Sequence, residues 1–204
     1  MTTIDTITIE APDPTAAEAF YKEAFDLGDL LRVRPAASPT SGFRGFTMSL
    51  VVAQPGNVDA LVGAALEAGA TTVKPTTKGF WGYGGVVQAP DGTIWKIATS
   101  TKKDTAPASR DVDQVVLLLG TADIVESKRF YLDRGLTVAR SFGRKYVEFA
   151  AAPGGVTLAL YGRKALAKDA GVPQDGEGSH RIAIVSDAGP FTDPDGFRWE
   201  DAAE

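Results

Sequence analysis

Cysteine is absent from the 204 residues of this chain, and histidine occurs once, as His180. The lack of cysteine excludes disulfide bonds, thiolate catalysis and cysteine-ligated zinc. A single histidine excludes metal sites that need two or three histidine ligands from one chain. A Ser-His-Asp triad would have to use His180, and the sequence has no Gly-x-Ser-x-Gly elbow, phosphate-binding loop or dinucleotide-binding glycine motif.

Long apolar runs and an excess of positive charge are missing as well. No run approaches the length of a membrane-spanning helix, and the first residues, MTTIDTITIEAP, lack the basic start and apolar core of a signal peptide. The 21 Lys and Arg residues against 26 Asp and Glu give a net charge of −5, which does not favour nucleic acid. We therefore expect a cytoplasmic protein with no membrane or nucleic-acid partner.

Two Pro-Asp-Gly turns are the most informative features that are present. They lie in APDGTIWK (residues 89–96) and DPDGFRWE (residues 193–200). Pro, Asp and Gly each favour one position of a tight turn, and each turn leads into a short aromatic strand. Because strand side chains alternate, Trp95 and Trp199 point to one face, whereas Lys96 and Glu200 point to the other. The repeat predicts a duplicated chain in which Lys96 and Glu200 are counterparts.

Other segments repeat at a spacing near 110 residues. The alternating strand pattern at 3–10 recurs at 112–120, and the helical pattern around Phe20 recurs around Phe130. We predict a first domain at 1–100, a linker at 101–110 and a second, shortened domain at 111–204. Asp13, followed by Pro14, and Asp123, followed by Glu126 three residues on, are predicted N-caps of the first helix in each half. The second domain has no counterpart of the helix predicted at 58–70, which Asn57 is expected to cap. The order of strands and helices indicates an α+β fold with helices packed on one face of curled sheets.

With these segments together, the chain resembles the vicinal oxygen chelate superfamily, which includes glyoxalases, bleomycin-resistance proteins and extradiol dioxygenases. The matching segments are 4–28, 57–70 and the two Pro-Asp-Gly turns. The resemblance implies two related halves built from βαβββ-type modules. They would form cupped, mostly antiparallel sheets with helices on the outer face and a small ligand in the cup. Active members of the superfamily hold a divalent metal there through His, Gln or Glu.

In the first half, the resemblance places Thr6, Thr47 and Lys96 where metal ligands usually stand. Two hydroxyls and an ammonium group suit a dication poorly, so we expect no metal there. In the second half, the matching positions are Gln114, Arg181 and Glu200, and a shift of one residue would present His180 instead of Arg181.

These positions lead to one hypothesis and two alternatives. The first is metal-free binding of a small aromatic or amphipathic molecule, with no cofactor. The second is a metal-dependent lyase, isomerase or dioxygenase in which Gln114, His180 and Glu200 hold the metal and Glu200 is the catalytic acid–base group. The third is a degenerate duplicated domain that acts as a homodimer or scaffold module. The ligand-binding residues expected for the first hypothesis are Thr6, Thr8, Thr47, Trp81, Tyr83 and Lys96. The sequence does not decide between an enzyme and a binding protein.

Overall fold

The computed structural model describes residues 2–80 and 82–201. Its first helix begins where the sequence predicts, because the Asp13 carboxylate accepts a hydrogen bond from the Ala16 N–H and Pro14 is the first helical residue. None of the described helices is long and apolar enough to cross a membrane. The helices are α1 (Pro14–Ala24), α2 (Pro55–Glu67), α3 (Ile124–Leu132) and α4 (Arg163–Ala170).

The strands belong to one large sheet and one short two-stranded ribbon. They are β1 (Ile4–Ala11), β2 (Leu31–Pro35), β3 (Thr40–Gly42), β4 (Phe46–Val51), β5 (Thr71–Gly79), β6 (Gly82–Gln88), β7 (Ile94–Thr99), β8 (Gln114–Thr121), β9 (Val138–Ser141), β10 (Tyr146–Phe149), β11 (Val156–Gly162), β12 (Gly176–Gly178), β13 (Ile182–Ser186), β14 (Phe191–Thr192) and β15 (Arg198–Asp201).

The large sheet has an eight-stranded part and a five-stranded part. The eight-stranded part runs β9-β10-β11-β8-β4-β7-β6-β5, and the five-stranded part runs β2-β1-β13-β15-β14. The two parts are joined through the pairing of Ile4 with Val156. Each part is built around an antiparallel pair of strands, β4 with β8 and β1 with β13. The predicted α+β fold, with cupped sheets and a duplicated pattern, is confirmed.

Strands from the first and second halves of the sequence pair with each other in both parts. β4 of the first half lies beside β8 of the second, and β1 lies beside β13. The domains at 1–100 and 111–204 therefore stay a prediction, and the sheet crosses their boundary. The segment between them is held in place, because the Gln54 side chain accepts hydrogen bonds from the backbone N–H groups of Thr105 and Ala106.

The main core lies between the sheet and the three helices α1, α2 and α3. Trp95 is fully buried against the rings of Tyr21 from α1 and of Phe25, the residue that follows it. Trp199 is buried in the same way against Tyr131 from α3. Helix α2 begins three residues earlier than predicted, with Gln54 rather than Asn57 as its N-cap.

Helix α4 packs on the opposite face of the eight-stranded part. Its buried residues Leu166, Ala167 and Ala170 form a second apolar cluster with Val86 and Ile94. Strand alternation places Val86 and Ile94 on the same face as Lys96, away from Trp95. We call this face of the eight-stranded part the central cup, and α4 lies inside it.

The central cup and its neighbours

Three strands each precede a helix: β1 precedes α1, β4 precedes α2 and β8 precedes α3. Inner-face positions on these strands can therefore be matched by their distance from the helix N-cap. Thr6 lies seven residues before the N-cap Asp13, and Thr47 lies seven residues before the N-cap Gln54. The same spacing before the N-cap Asp123 leads to Val116. Val116, rather than the predicted Gln114, is therefore the counterpart of Thr6.

The sheet register also corrects the position that the sequence assigned to Arg181. Lys96 pairs with Ser49, and Glu200 pairs with Val185. Because Lys96 and Glu200 are counterparts, Ser49 of β4 corresponds to Val185 of β13. Two residues earlier on each of these strands, Thr47 corresponds to Ala183 and not to the predicted Arg181.

The side chains at these matched positions do not fit a divalent metal. In the central cup the positions hold Thr47, Lys96 and Val116, and in the five-stranded part they hold Thr6, Ala183 and Glu200. Only Glu200 carries a carboxylate, imidazole or thiolate group, which are the common protein ligands of transition metals. Within residues 2–80 and 82–201, no group of three or more His, Cys, Asp or Glu residues is placed to hold a metal ion.

Lys96 is paired with an acidic residue of the helix inside the cup. Its Nζ lies 2.7 Å from Oδ2 of Asp169 on α4, and the two side chains are 36% and 41% exposed. Lys74 of β5 lies next to them and donates to the carbonyl oxygens of Lys168 and Asp169. Positive groups at a helix C-terminus also complement the helix dipole, so both lysines hold α4 in the cup.

A groove of about 320 Å³ remains in the central cup beside α4. Its wall includes Lys96 and Asp169, and Phe80 lies at its rim with 80% of its surface exposed. Pro75, Val86 and Ala98 add apolar surface. The groove can therefore present an ammonium and a carboxylate group next to apolar walls.

The structure separates the residues predicted to bind a ligand. Lys96 and Thr47 lie in the central cup, but Thr6 and Thr8 are buried in the five-stranded part. Tyr83 borders the groove, yet its hydroxyl donates to Oδ1 of Asp59 on the outer helix α2, at 2.7 Å. The predicted ligand contact Trp81 lies outside the described residues.

His180 has both ring nitrogens against backbone carbonyl oxygens. Nδ1 lies 2.5 Å from the Arg44 oxygen, Nε2 lies 3.1 Å from the Asp195 oxygen, and the ring stacks on Phe197 at 4.0 Å. Carbonyl oxygens only accept hydrogen bonds, so both ring nitrogens face acceptors. In this arrangement His180 ties the loop before β4 to the second Pro-Asp-Gly turn.

The residues of the metal hypothesis, Gln114, His180 and Glu200, are not brought together. His180 lies near Gly45, whose carbonyl oxygen binds the Gly120 N–H at the far end of β8 from Gln114. Six residues of strand separate Gln114 from Gly120, which is roughly 20 Å. Glu200 lies in the other part of the sheet.

Glu200 belongs to an ion-pair network on the inner face of the five-stranded part. Arg34 of β2 binds both Glu200 oxygens at 2.8 Å and contacts Glu10 of β1 at 2.7 Å. Arg198 also binds both carboxylates. The Glu10 side chain is only 7% exposed, so the two guanidinium groups compensate a nearly buried charge. Sequence analysis missed this network, although Glu10, Arg34 and Glu200 all lie on strands with clear alternation.

Comparisons with known proteins give a fold but no sequence match. No protein-family model and no curated protein matches this sequence. Among solved structures, glyoxalase I from Zea mays superposes with a TM-score of 0.60 at 14% identity, covering 98% of this chain and 91% of that chain. Its V278E mutant gives a TM-score of 0.61 at 15% identity, covering 98% and 92%.

A putative dioxygenase from Bacillus subtilis is also similar. It gives a TM-score of 0.55 at 14% identity, covering 90% of this chain and 69% of that chain. The fold implied by the sequence resemblance is confirmed: this chain has the cupped, duplicated fold of glyoxalase I.

Proposed function

We propose that the protein binds a small aromatic or amphipathic molecule in the groove beside α4, without a metal ion. The observation that carries this proposal is the pairing of Lys96 with Asp169 inside the central cup. A protein ammonium group occupies a position where the resemblance expects a metal-binding carboxylate, while open space remains next to it.

The shape and chemistry of the groove support this ligand class. Its volume of about 320 Å³ lies near the lower end of the range for small-molecule sites. The Phe80 ring, with Lys102 Nζ 5.9 Å from its centroid, lies at the rim, and Pro75, Val86 and Ala98 give apolar walls that a planar ligand can contact. Lys96 and Asp169 are partly exposed, and they can orient a polar substituent without becoming fully desolvated.

Metal binding is the first test. The purified protein is analysed for metal content and then heated with Mn²⁺, Ni²⁺, Zn²⁺ or Fe²⁺. A ligand of the folded state raises the unfolding temperature by mass action. We expect no stoichiometric metal and no rise in unfolding temperature. Near-stoichiometric metal that is lost in Glu200→Ala would contradict the proposal.

Ligand binding is the second test. A panel of aromatic acids, phenols and amines is screened by thermal shift, and the hits are titrated against Lys96→Met and Phe80→Ala. We expect both variants to bind the hits about tenfold more weakly. Lys164→Met, an exposed change on α4, is the control and is expected to bind like the wild type. Unchanged affinity in both groove variants would rule the groove out.

A further inference from the structure

A second and larger cavity lies at the opposite end of β8 from His180. This cleft, of about 830 Å³, opens between the end of α1, the segment leading into β8 and the loop between β10 and β11. It shares no lining residue with the groove beside α4. Its volume is within the range of small-molecule sites.

The walls of the cleft are apolar on several sides. Leu27 and Leu30 follow α1, Val112 comes from the segment before β8, and all three are partly exposed. Phe25 and Phe149 also border the cleft, but they are nearly fully buried against Trp95 and Tyr131 respectively and offer little surface to a ligand. A ligand with an apolar body would therefore contact mainly Leu27, Leu30 and Val112.

The charged groups of the cleft are predominantly negative. One basic residue, Arg110, lines it, and its guanidinium already donates to the Glu23 carbonyl oxygen at 2.9 Å. Four carboxylates line the same cleft, and within the described residues none of the four takes part in a salt bridge. They are Asp26, Asp111, Asp113 and Glu148.

Two of these carboxylates have defined surroundings. One oxygen of Glu148 accepts the Tyr146 hydroxyl at 2.7 Å, which fixes the side chain on its strand. The backbone N–H of Asp113 donates to the Val51 carbonyl oxygen, which places this carboxylate at the start of β8. Nearby, Gln114 donates to Thr157 through Nε2 at 2.8 Å, and this fixes the orientation of its amide.

Asp26 has a left-handed backbone conformation just after α1. Its φ of 46° lies in the left-handed region, where residues other than glycine are uncommon. The conformation is held by a hydrogen bond of 2.9 Å from the Asp26 N–H to the Tyr21 carbonyl oxygen. This turn at the C-terminus of α1 leaves the Asp26 carboxylate exposed at the edge of the cleft.

We propose that this cleft binds an organic cation with an apolar body, such as an aromatic or alicyclic amine. The apolar body would lie against Leu27, Leu30 and Val112, and the carboxylates of the lining, among them Asp113 and Glu148, would attract the cationic nitrogen. An anionic molecule of the same shape is disfavoured by the net charge of the lining.

The test uses two fluorescent probes of opposite charge. Berberine is a planar aromatic cation, and 8-anilinonaphthalene-1-sulfonate is an aromatic anion. We expect the full-length protein to bind berberine, to bind it severalfold more weakly at high salt, and to bind the anion at least tenfold more weakly than berberine. No detectable binding of berberine, or equal binding of the two probes, would overturn the proposal.

Matched variants locate the berberine site. Asp113→Asn combined with Glu148→Gln keeps the size of both side chains and removes both charges, so we expect an affinity for berberine about tenfold lower. Asp133→Asn combined with Glu126→Gln removes two exposed charges, one from α3 and one from the residue that follows it, and is expected to leave the affinity within twofold. If the first variant does not fold, Asp113→Asn alone is expected to weaken binding about threefold. Unchanged affinity in a folded cleft variant would overturn the proposal, and it would leave the separate groove beside α4 unaffected.

Discussion

Arg34 provides the positive charge at the centre of the five-stranded part. Its guanidinium lies between Glu10 and Glu200, and it binds both oxygens of Glu200 in a fork. Lys96 plays the corresponding part in the central cup, where it faces Asp169. In both parts of the sheet, a basic side chain on the inner face is therefore paired with the carboxylates next to it.

Arg34→Met is expected to destabilise the fold. Breaking a buried ion pair costs about 3–5 kcal/mol, but Arg34 is one third exposed and Arg198 remains near Glu10. We therefore expect a loss of roughly 2 kcal/mol in the free energy of unfolding, measured by urea denaturation. Arg32→Met, an exposed change on the same strand, is the control. Equal stability of the two variants would show that the network does not stabilise the fold.

Each Pro-Asp-Gly turn is tied to a helix by a buried tyrosine. The Tyr21 hydroxyl donates to Asp91 at 2.8 Å, and the Tyr131 hydroxyl donates to Asp193 at 2.5 Å. Burial, and next the neighbouring carboxylate, raises the pKa of each phenol well above its usual value near 10. The folded state thus favours the neutral phenols.

The raised pKa values predict how stability depends on alkaline pH. A raised folded-state pKa gives stability that is present below the ordinary pKa, at about pH 10, and is lost as the pH rises further. In an alkaline titration, we expect Tyr21 and Tyr131 to form phenolate only as the far-ultraviolet circular dichroism signal disappears. Phenolate absorbance is the readout, and Tyr131→Phe should reduce the step that accompanies unfolding. Complete ionisation of all tyrosines in the folded protein would contradict the expectation.

At the scale of elements, α4 is the feature that the sequence predicted least well. The segment RKALAKDA has eight residues and few large apolar side chains, so its periodicity indicates no more than a helical turn. Its helix is stabilised by tertiary contacts, namely the packing of Leu166 in the cup and the ion pair of Asp169 with Lys96. By contrast, the Asp N-caps of α1 and α3 are local signals, and both are confirmed.

Leu166→Ala is expected to loosen α4. Leu166 is 1% exposed, and truncating a buried leucine typically costs about 2–5 kcal/mol. Urea denaturation measures the loss in the free energy of unfolding, and amide hydrogen exchange should accelerate in residues 163–170. Leu132→Ala, at an exposed position on α3, should change the free energy of unfolding by about 0.5 kcal/mol or less. A similar small change in Leu166→Ala would mean that α4 contributes little to stability.

At the scale of the whole molecule, the two halves of the chain share their central strand pairs. β1 lies beside β13 and β4 lies beside β8, so separating the halves would expose four strand edges. An isolated half would lose the partner strands of both of its central strands. This arrangement predicts that the chain unfolds as one cooperative unit.

Fragments test this interdependence. We expect residues 1–100 and 111–204, expressed separately, each to lack a cooperative thermal transition. When they are mixed after refolding, a complex with the circular dichroism spectrum of the intact chain should form. A fragment 111–204 that folds alone would contradict the shared-sheet interpretation and favour two independent domains.

The sequence by itself determined the fold class, the duplication and the N-termini of α1 and α3. These depend on alternation, capping and turn residues, which act over a few neighbouring positions. The correspondence of Lys96 with Glu200 was also local, since both follow the same turn motif. The network joining Glu10, Arg34 and Glu200 depends on sheet register between distant strands, which local patterns do not specify. Tertiary structure alone likewise decided that α4 lies in the cup, because its stability comes from residues far away in the chain.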